Sequence, residues 1–224
     1  MSNLIEAELK TILKLCQESH LPVFVIGAFS LRAYNCLLRV SQDLDLAVSS
    51  THFAELKQLL LEQGYAVARE SVWVTATKMI NQEIIEINIA LNGITDLNSA
   101  STFLITQQQP EFHQPADLDF PLPVLPLESV FITKLIAQRD KDIADLLAIL
   151  LLQPDSLNPQ RFWYEAEKSG LIAKLPRRLN ELVERINSGE SMSIWFERTR
   201  TVLSDEEIQL ALHQLSRLQK RNKY

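Results

Sequence analysis

Glycine is scarce in this chain, at 5 of 224 residues, and proline is limited to 9. That excludes glycine-dense all-β folds built on many tight turns and favours a helix-rich one. Cysteine is nearly absent. Cys16 and Cys36 are the only two, so no disulfide framework is expected and a reducing cytoplasm suits the chain. No apolar run approaches the 18 residues that a membrane helix needs, so no membrane partner is expected. The N-terminal stretch MSNLIEAELKTILKLCQ has no charged-then-apolar leader layout. An excess of basic residues is also missing. The formal net charge of -6 disfavours an extended grip on a polyanion, so any nucleic-acid contact needs a local patch.

What is present changes character near residue 126. Before it, helical and strand-like periods alternate. Leu4, Ile5, Leu9, Ile12 and Leu13 recur at helical spacing over 3–19. PVFVIG reads as a buried strand ending at Gly27, and 30–38 as a helix with Ser30 in its first turn or at its cap. DLDLAV (43–48) is the next strand. Ser50 or Thr51 is placed to cap a helix that Gly64 stops. YAVARE, VWVTATKMI and EIIEINIAL read as successive strands, with Asn81-Gln82 as the turn before the last. A short helix and a loop are expected over 98–119. PADLDFPLPVLP (115–126) has four prolines and should lie extended at a sheet edge. After Leu127 the pattern is helical: 127–152, 158–168, 171–188, 191–201 and 204–221. The expected class is α+β, a small mixed sheet with flanking helices followed by an all-α region. The expected domains are 1–126 and 127–224.

The chemistry concentrates in VIGAFSLRAYNCLLRVSQDLDLAV (25–48). Asp43 and Asp45 are two apart, so on a strand both carboxylates share a face while Leu44 and Leu46 take the other. Two like charges held this close favour a divalent cation, and Mg²⁺ is satisfied by one or two carboxylates plus substrate phosphates. Alone, the pattern more often marks the solvated face of an edge strand. A second DLD at Asp117–Asp119, among prolines and without a glycine turn, is read that way. The first has company: Gly27 to let backbone approach a ligand, a helix start whose N–H groups suit a phosphate, and Arg39 and Ser41 just before the acids.

This constellation resembles the nucleotidyltransferase superfamily, whose signature is an apolar strand, Gly-Gly or Gly-Ser, a helix and [DE]-x-[DE]. More narrowly, Arg39-x-Ser41-x-Asp43-x-Asp45 resembles the motif of AbiEii/AbiGii-type toxin nucleotidyltransferases. PLESVFITKLIAQRDKDIADLLAIL (126–150) is similar to that family's helical motif, a Lys on a helix followed by R-x-K-D-x-x-D. On one helix Lys134, Lys141 and Asp145 would fall within roughly 40° of one another. The stretch is one amphipathic helix, or two helices kinked near Arg139-Asp140, with a charged stripe; a solvated face with i,i+4 pairs such as Lys141–Asp145 is the plainer reading of that stripe.

The resemblance implies a nucleotidyltransferase-type sheet, a nucleoside triphosphate substrate and Mg²⁺ or Mn²⁺ as cofactor. It implies that Asp43 and Asp45 hold metal, and that Gly27, Ala28, Ser30, Arg39, Ser41 and Lys134 serve the triphosphate. Asp145 helps complete the site. In the toxin branch the acceptor is the tRNA 3′ end and an antitoxin protein is the partner. Two departures stand out. Ala28 replaces the second Gly or Ser. In Ile85-Glu86-Ile87-Asn88-Ile89 the family's third acid falls on Asn88, leaving Glu86, two residues earlier on the same face, as the candidate third ligand and base. Those departures keep two alternatives open: a catalytically weakened nucleotide-binding or interaction module of the same fold, and a transferase acting on a small molecule.

Overall fold

The computed structural model describes residues 2–36, 43–69, 73–96, 100–106, 108–152 and 155–220. Arg39 and Ser41 lie outside these residues. The chain divides into two compact units. The first comprises Met1–Ala33, Val40–Ile94 and Leu104–Leu125; the second comprises Tyr34–Arg39, Thr95–Phe103 and Pro126–Tyr224.

In the first unit, α1 (Ser2–Glu18) leads to β1 (Val23–Val25), α2 (Gly27–Ala33), β2 (Leu44–Val48) and α3 (Phe53–Glu62). Then come β3 (Ala66–Arg69), β4 (Trp73–Ile80) and β5 (Glu83–Leu91). A two-stranded ribbon of β6 (Gly93–Asp96) and β7 (Ser101–Leu104), divided between the two units at Ile94 and Leu104, follows in the chain, then β8 (Glu111–His113) and β9 (Leu122–Val124) of the first unit. The main sheet has the order β3-β4-β5-β2-β1-β9-β8 and is mixed: β1 with β9 and β2 with β5 are parallel, the rest antiparallel. Alternation along β5 sends Ile85, Ile87 and Ile89 into the core, each at most 3% exposed. Each such side chain contributes roughly 1.5–3 kcal/mol by leaving water. On β4, Lys78 is tied to Glu8 of α1 at 2.9 Å, and Tyr65 donates to the same carboxylate at 2.8 Å.

Three sequence expectations are corrected here. Residues 98–119 hold strands β7 and β8 rather than a helix. β9 is not at the edge; it lies between β1 and β8, and β8 takes the edge. Pro123 is tolerated there because β9 is three residues long and meets β1 at a single paired position, Val25 with Val124. Finally, α3 begins at Phe53 after His52, with no side-chain cap from Ser50 or Thr51; Ser49 and Thr51 bond each other's hydroxyls instead, at 2.8 Å. The second DLD behaves as an ordinary surface pair: Asp117 binds Arg32 at 2.9 Å and Asp119 binds Lys10.

The second unit is helical from α4 (Leu127–Ala137) and α5 (Asp140–Leu152) through α6 (Pro159–Lys168), α7 (Leu175–Asn187), α8 (Glu190–Thr199) and α9 (Asp205–Gln219). Local rules set these boundaries. Asn158 caps α6 with Pro159 at the first helical position, and Ser204 and Glu207 form a capping box on α9. α5 packs against α4, α8 and α9, which explains why it is apolar on nearly all sides. No helix among the described residues is long and apolar enough to cross a membrane. Burial pushes the thiols of Cys16 and Cys36 up to about 12, so both are inert core groups.

The β4–β5 turn supplies a stability test. Asn81 and Gln82 both have positive φ, 50° and 69°, the pattern of a two-residue type I′ hairpin. Glycine suits the second position better than glutamine. Gln82→Gly should stabilise by about 0.5–1 kcal/mol and raise Tm by about 1–4 °C in a calorimetric scan. A lower Tm would refute the turn assignment.

Candidate functional site

The register of three strands builds the site. β1 pairs with β2 so that Val25 faces Leu46, and the Ile26 N–H donates to the Asp45 carbonyl at 2.9 Å. The chain then turns at Gly27, with φ +65°, into α2. The Asp45 side chain lies directly over this turn: a Cβ at residue 27 would fall 2.1 Å from Asp45 Oδ2. Glycine is therefore required twice, by the left-handed backbone and by the carboxylate in the space a side chain would fill.

On the other side of β2, β5 runs parallel with Asp45 opposite Asn88. The Asn88 amide Nδ2 donates to Asp45 Oδ1 at 3.3 Å. One step earlier in the same register, Asp43 precedes Leu44 as Glu86 precedes Ile87, the residue paired with Leu44. Asp45, Asn88 and Glu86 thus share one face by alternation, and continuing the register places Asp43 on it too. Among the described residues, no three His, Cys, Asp or Glu side chains are grouped as a ready-made metal cage.

Ser30 is not a helix cap. α2 starts at Gly27, and the Ser30 hydroxyl, 2% exposed, donates back to the Gly27 carbonyl at 2.7 Å. Ala28 is buried at the same helix start. These contacts fix the glycine turn from within.

The downstream motif folds within the helical unit, and Lys134 and Asp145 are buried rather than solvated, while Lys141 is exposed. The chain breaks at Gln138, φ 46°, so α4 and α5 are separate helices and the single-helix stripe does not form. Lys134 reaches across the break to Asp145 Oδ2 at 2.8 Å and Asp142 Oδ1 at 3.3 Å. Arg139 Nε donates to Asp142 Oδ2 at 2.6 Å. Asp142 is wholly buried. That burial works to raise its carboxyl, but the bonds from Arg139 and the nearby Lys134 charge outweigh it and hold the group below the usual carboxylate range. Sequence reasoning assigned partnership to Lys141 and passed over Asp142. The signal was Arg139-x-x-Asp142, an i,i+3 pair in the first turn of a helix.

No protein-family model matches the chain, and no curated protein matches it in sequence. Solved structures do match in shape. The crystal structure of ANT(2'')-Ia in complex with adenylyl-2''-tobramycin superposes with TM-score 0.50 at 18% identity, covering 73% of this chain and 95% of that one. The solution structure of the same antibiotic-resistance factor gives TM-score 0.51 at 16% identity, covering 84% of this chain and all of that one. At this identity the likeness establishes a shared fold.

Two substitutions test this geometry. Gly27→Ala must displace Asp45 and strain the turn. It should cost about 1–3 kcal/mol in urea unfolding and shift the Asp45 and Asn88 amide resonances. Lys134→Met should cost about 3–5 kcal/mol, because two buried aspartates would be left with one cation, and Lys134→Met/Asp145→Asn should recover part of that. The lowered Asp142 carboxyl also fixes the sign of an acid effect. Its contribution is present above the ordinary Asp value near 3.8 and is lost as pH falls through the folded-state value. Asp142→Asn should flatten the stability profile below about pH 4.

Proposed function

We propose that this chain is a metal-dependent nucleotidyltransferase that moves a nucleoside monophosphate from an NTP to an acceptor hydroxyl. The observation that carries the reading is the Asp45 carboxylate lodged over the Gly27 turn, with Asn88 and Glu86 beside it on the neighbouring strand.

The donor set fits Mg²⁺ or Mn²⁺. Asp43 and Asp45 would hold it as the one or two carboxylates Mg²⁺ prefers, the NTP phosphates supplying further oxygens, and Asn88 can turn its amide oxygen to the same face. When bound, the ion supplies charge stabilisation to the phosphates at the α-phosphorus. The chain's own residues do the rest. Gly27 and Ala28 bring backbone N–H groups close to the triphosphate tail, and Arg39 and Ser41 precede the acids in the motif. The acceptor hydroxyl oxygen bonds to the α-phosphorus as the bond to the pyrophosphate oxygen breaks, giving a phosphodiester and pyrophosphate. Glu86 takes the hydroxyl proton, a role closed to the amide of Asn88. Lys134 would reach a phosphate only by leaving Asp145 and Asp142, so its charge and that of Asp145 act first on the helical unit.

The finer reading, an AbiEii-type toxin acting on the tRNA 3′ end and held by an antitoxin, is supported by the motifs around Arg39–Asp45 and Lys134–Asp145 alone. A small-molecule acceptor has a separate support. ANT(2'')-Ia, whose structure holds an adenylylated tobramycin, resembles this chain over a larger share of its length than either unit supplies by itself.

The test is transfer of label from each α-labelled NTP, with Mg²⁺, to bulk tRNA and to tobramycin. Transfer to either should fall on the order of a hundredfold or more in Asp43→Ala/Asp45→Ala. Asn88→Asp restores the third acid and should raise kcat about tenfold. It should also lower Tm without Mg²⁺ and regain it with Mg²⁺, because a fourth carboxylate then joins Asp43, Asp45 and Glu86 on one face. NTP binding without transfer to any acceptor would sink the enzyme reading and leave the nucleotide-binding module.

A further inference from the structure

The site strand β2 separates two kinds of surface. On its β1 side lies the Gly27 turn, assigned above to the triphosphate. On its β5 side the shared face continues outward through β5, β4 and β3. Across the strands Asn88 faces Thr75 and Glu86 faces Thr77. Thr75 and Thr77 in turn face Ala68 and Ala66. Toward the hairpin tip, Met79 pairs with Ile84, and both are strongly exposed, at 71% and 66%.

This face grades from carboxylate through hydroxyl to apolar, and its composition excludes a class of ligand. Alternation leaves Trp73, Thr75, Thr77 and Met79 of β4 on it, with Ile84, Glu86, Asn88 and Ala90 of β5. None is Lys or Arg. The one cation of β4, Lys78, is paired with Ile85 of the core-facing set and is bound to Glu8. A polyanion laid here would meet Glu86 and Asp45 with no basic residue of β4 or β5 to offset its phosphates. The two threonines are partly exposed, and Glu86 is exposed.

Resting on the nucleotidyltransferase reading, we propose that this face of β4 and β5 seats the acceptor, and that the acceptor is a hydroxyl-rich small molecule without phosphate. Thr75 and Thr77 hydrogen-bond its hydroxyls, and the Met79–Ile84 pair covers the apolar face of its ring. Glu86 faces the hydroxyl that reacts, and it attracts an amine where the acceptor bears one. Neutral sugars and aminosugars share this chemistry.

The experiment is a titration of the ¹⁵N-labelled full chain, read residue by residue in amide spectra, with no turnover required. The probes are tobramycin as an aminosugar, maltose as a neutral sugar, bulk tRNA as the polyanion, and Mg²⁺-ATP separately. Tobramycin or maltose should shift Thr75, Thr77, Met79 and Glu86. Thr75→Val/Thr77→Val should weaken that binding about tenfold, the loss that follows removal of hydrogen-bond partners. Glu86→Gln should weaken the tobramycin arm and spare the maltose arm. The proposal is overturned if tRNA shifts this face, or if neither sugar shifts it. Mg²⁺-ATP shifts at Gly27 and Asp45 report on the nucleotide site independently, so failure there is distinguishable from failure of the acceptor face.

Discussion

The contact between the Asp45 carboxylate and the Gly27 turn constrains more of the α/β unit than any other. For it to exist, β1 must pair antiparallel with β2 in one register, because the Ile26 N–H is spent on the Asp45 carbonyl. The turn must be left-handed and bare of a side chain. β5 must then run parallel to β2, in the register that brings Asn88 against the same carboxylate. A slip of one residue on either side would send Asp45 into the isoleucine core and Leu46 into water. The buried side chains of β2 and β5 prevent that slip. The hydrophobic pattern therefore holds the carboxylate in place.

How far this was legible in the sequence differed by element. DLDLAV could be placed because its two acids and flanking leucines alternate, and the β4–β5 hairpin because Asn81-Gln82 interrupts two alternating runs. The C-terminal helices were legible from their caps: Asn158-Pro159 and Ser204…Glu207 each satisfy orphan N–H groups by local rules. Residues 98–119 were not legible, since β7 and β8 are three or four residues long and too short to show a period. The interior place of β9 was hidden because proline argues for an edge, and only the pairing shows how little of β9 engages β1. Sheet order depends on pairings that no local run encodes.

The candidate site divides the same way. The face shared by Asp43, Asp45, Glu86 and Asn88 follows from alternation. The Asp45–Asn88 neighbourhood follows from pairing, which motif spacing hinted at only through the resemblance. The helical motif misled for a definite reason. A wheel drawn through 127–150 assumes an unbroken helix; the alternative break near Arg139-Asp140 is the one that occurs, and the left-handed Gln138 resets the phase so that Lys134, not Lys141, is the partner of Asp145.

The chain thus solves one physical problem twice. Asp142 and Asp145 are like charges brought together in a buried place, and Lys134 and Arg139 neutralise them from within the helical unit. These four charges sum to zero, and removal of one partner exposes the desolvation cost of the rest. Asp45 is treated differently. Asn88 gives it a hydrogen bond and no charge, at a half-buried position on the central strand of the sheet. An amide can orient a carboxylate and fix its rotamer without adding charge of its own, the kind of hold that the proposed cation site would require. An acid at residue 88 would bind a cation more tightly and repel Asp45 in its absence. Under the proposed reading, the amide gives up that affinity and spares Asp45 the repulsion.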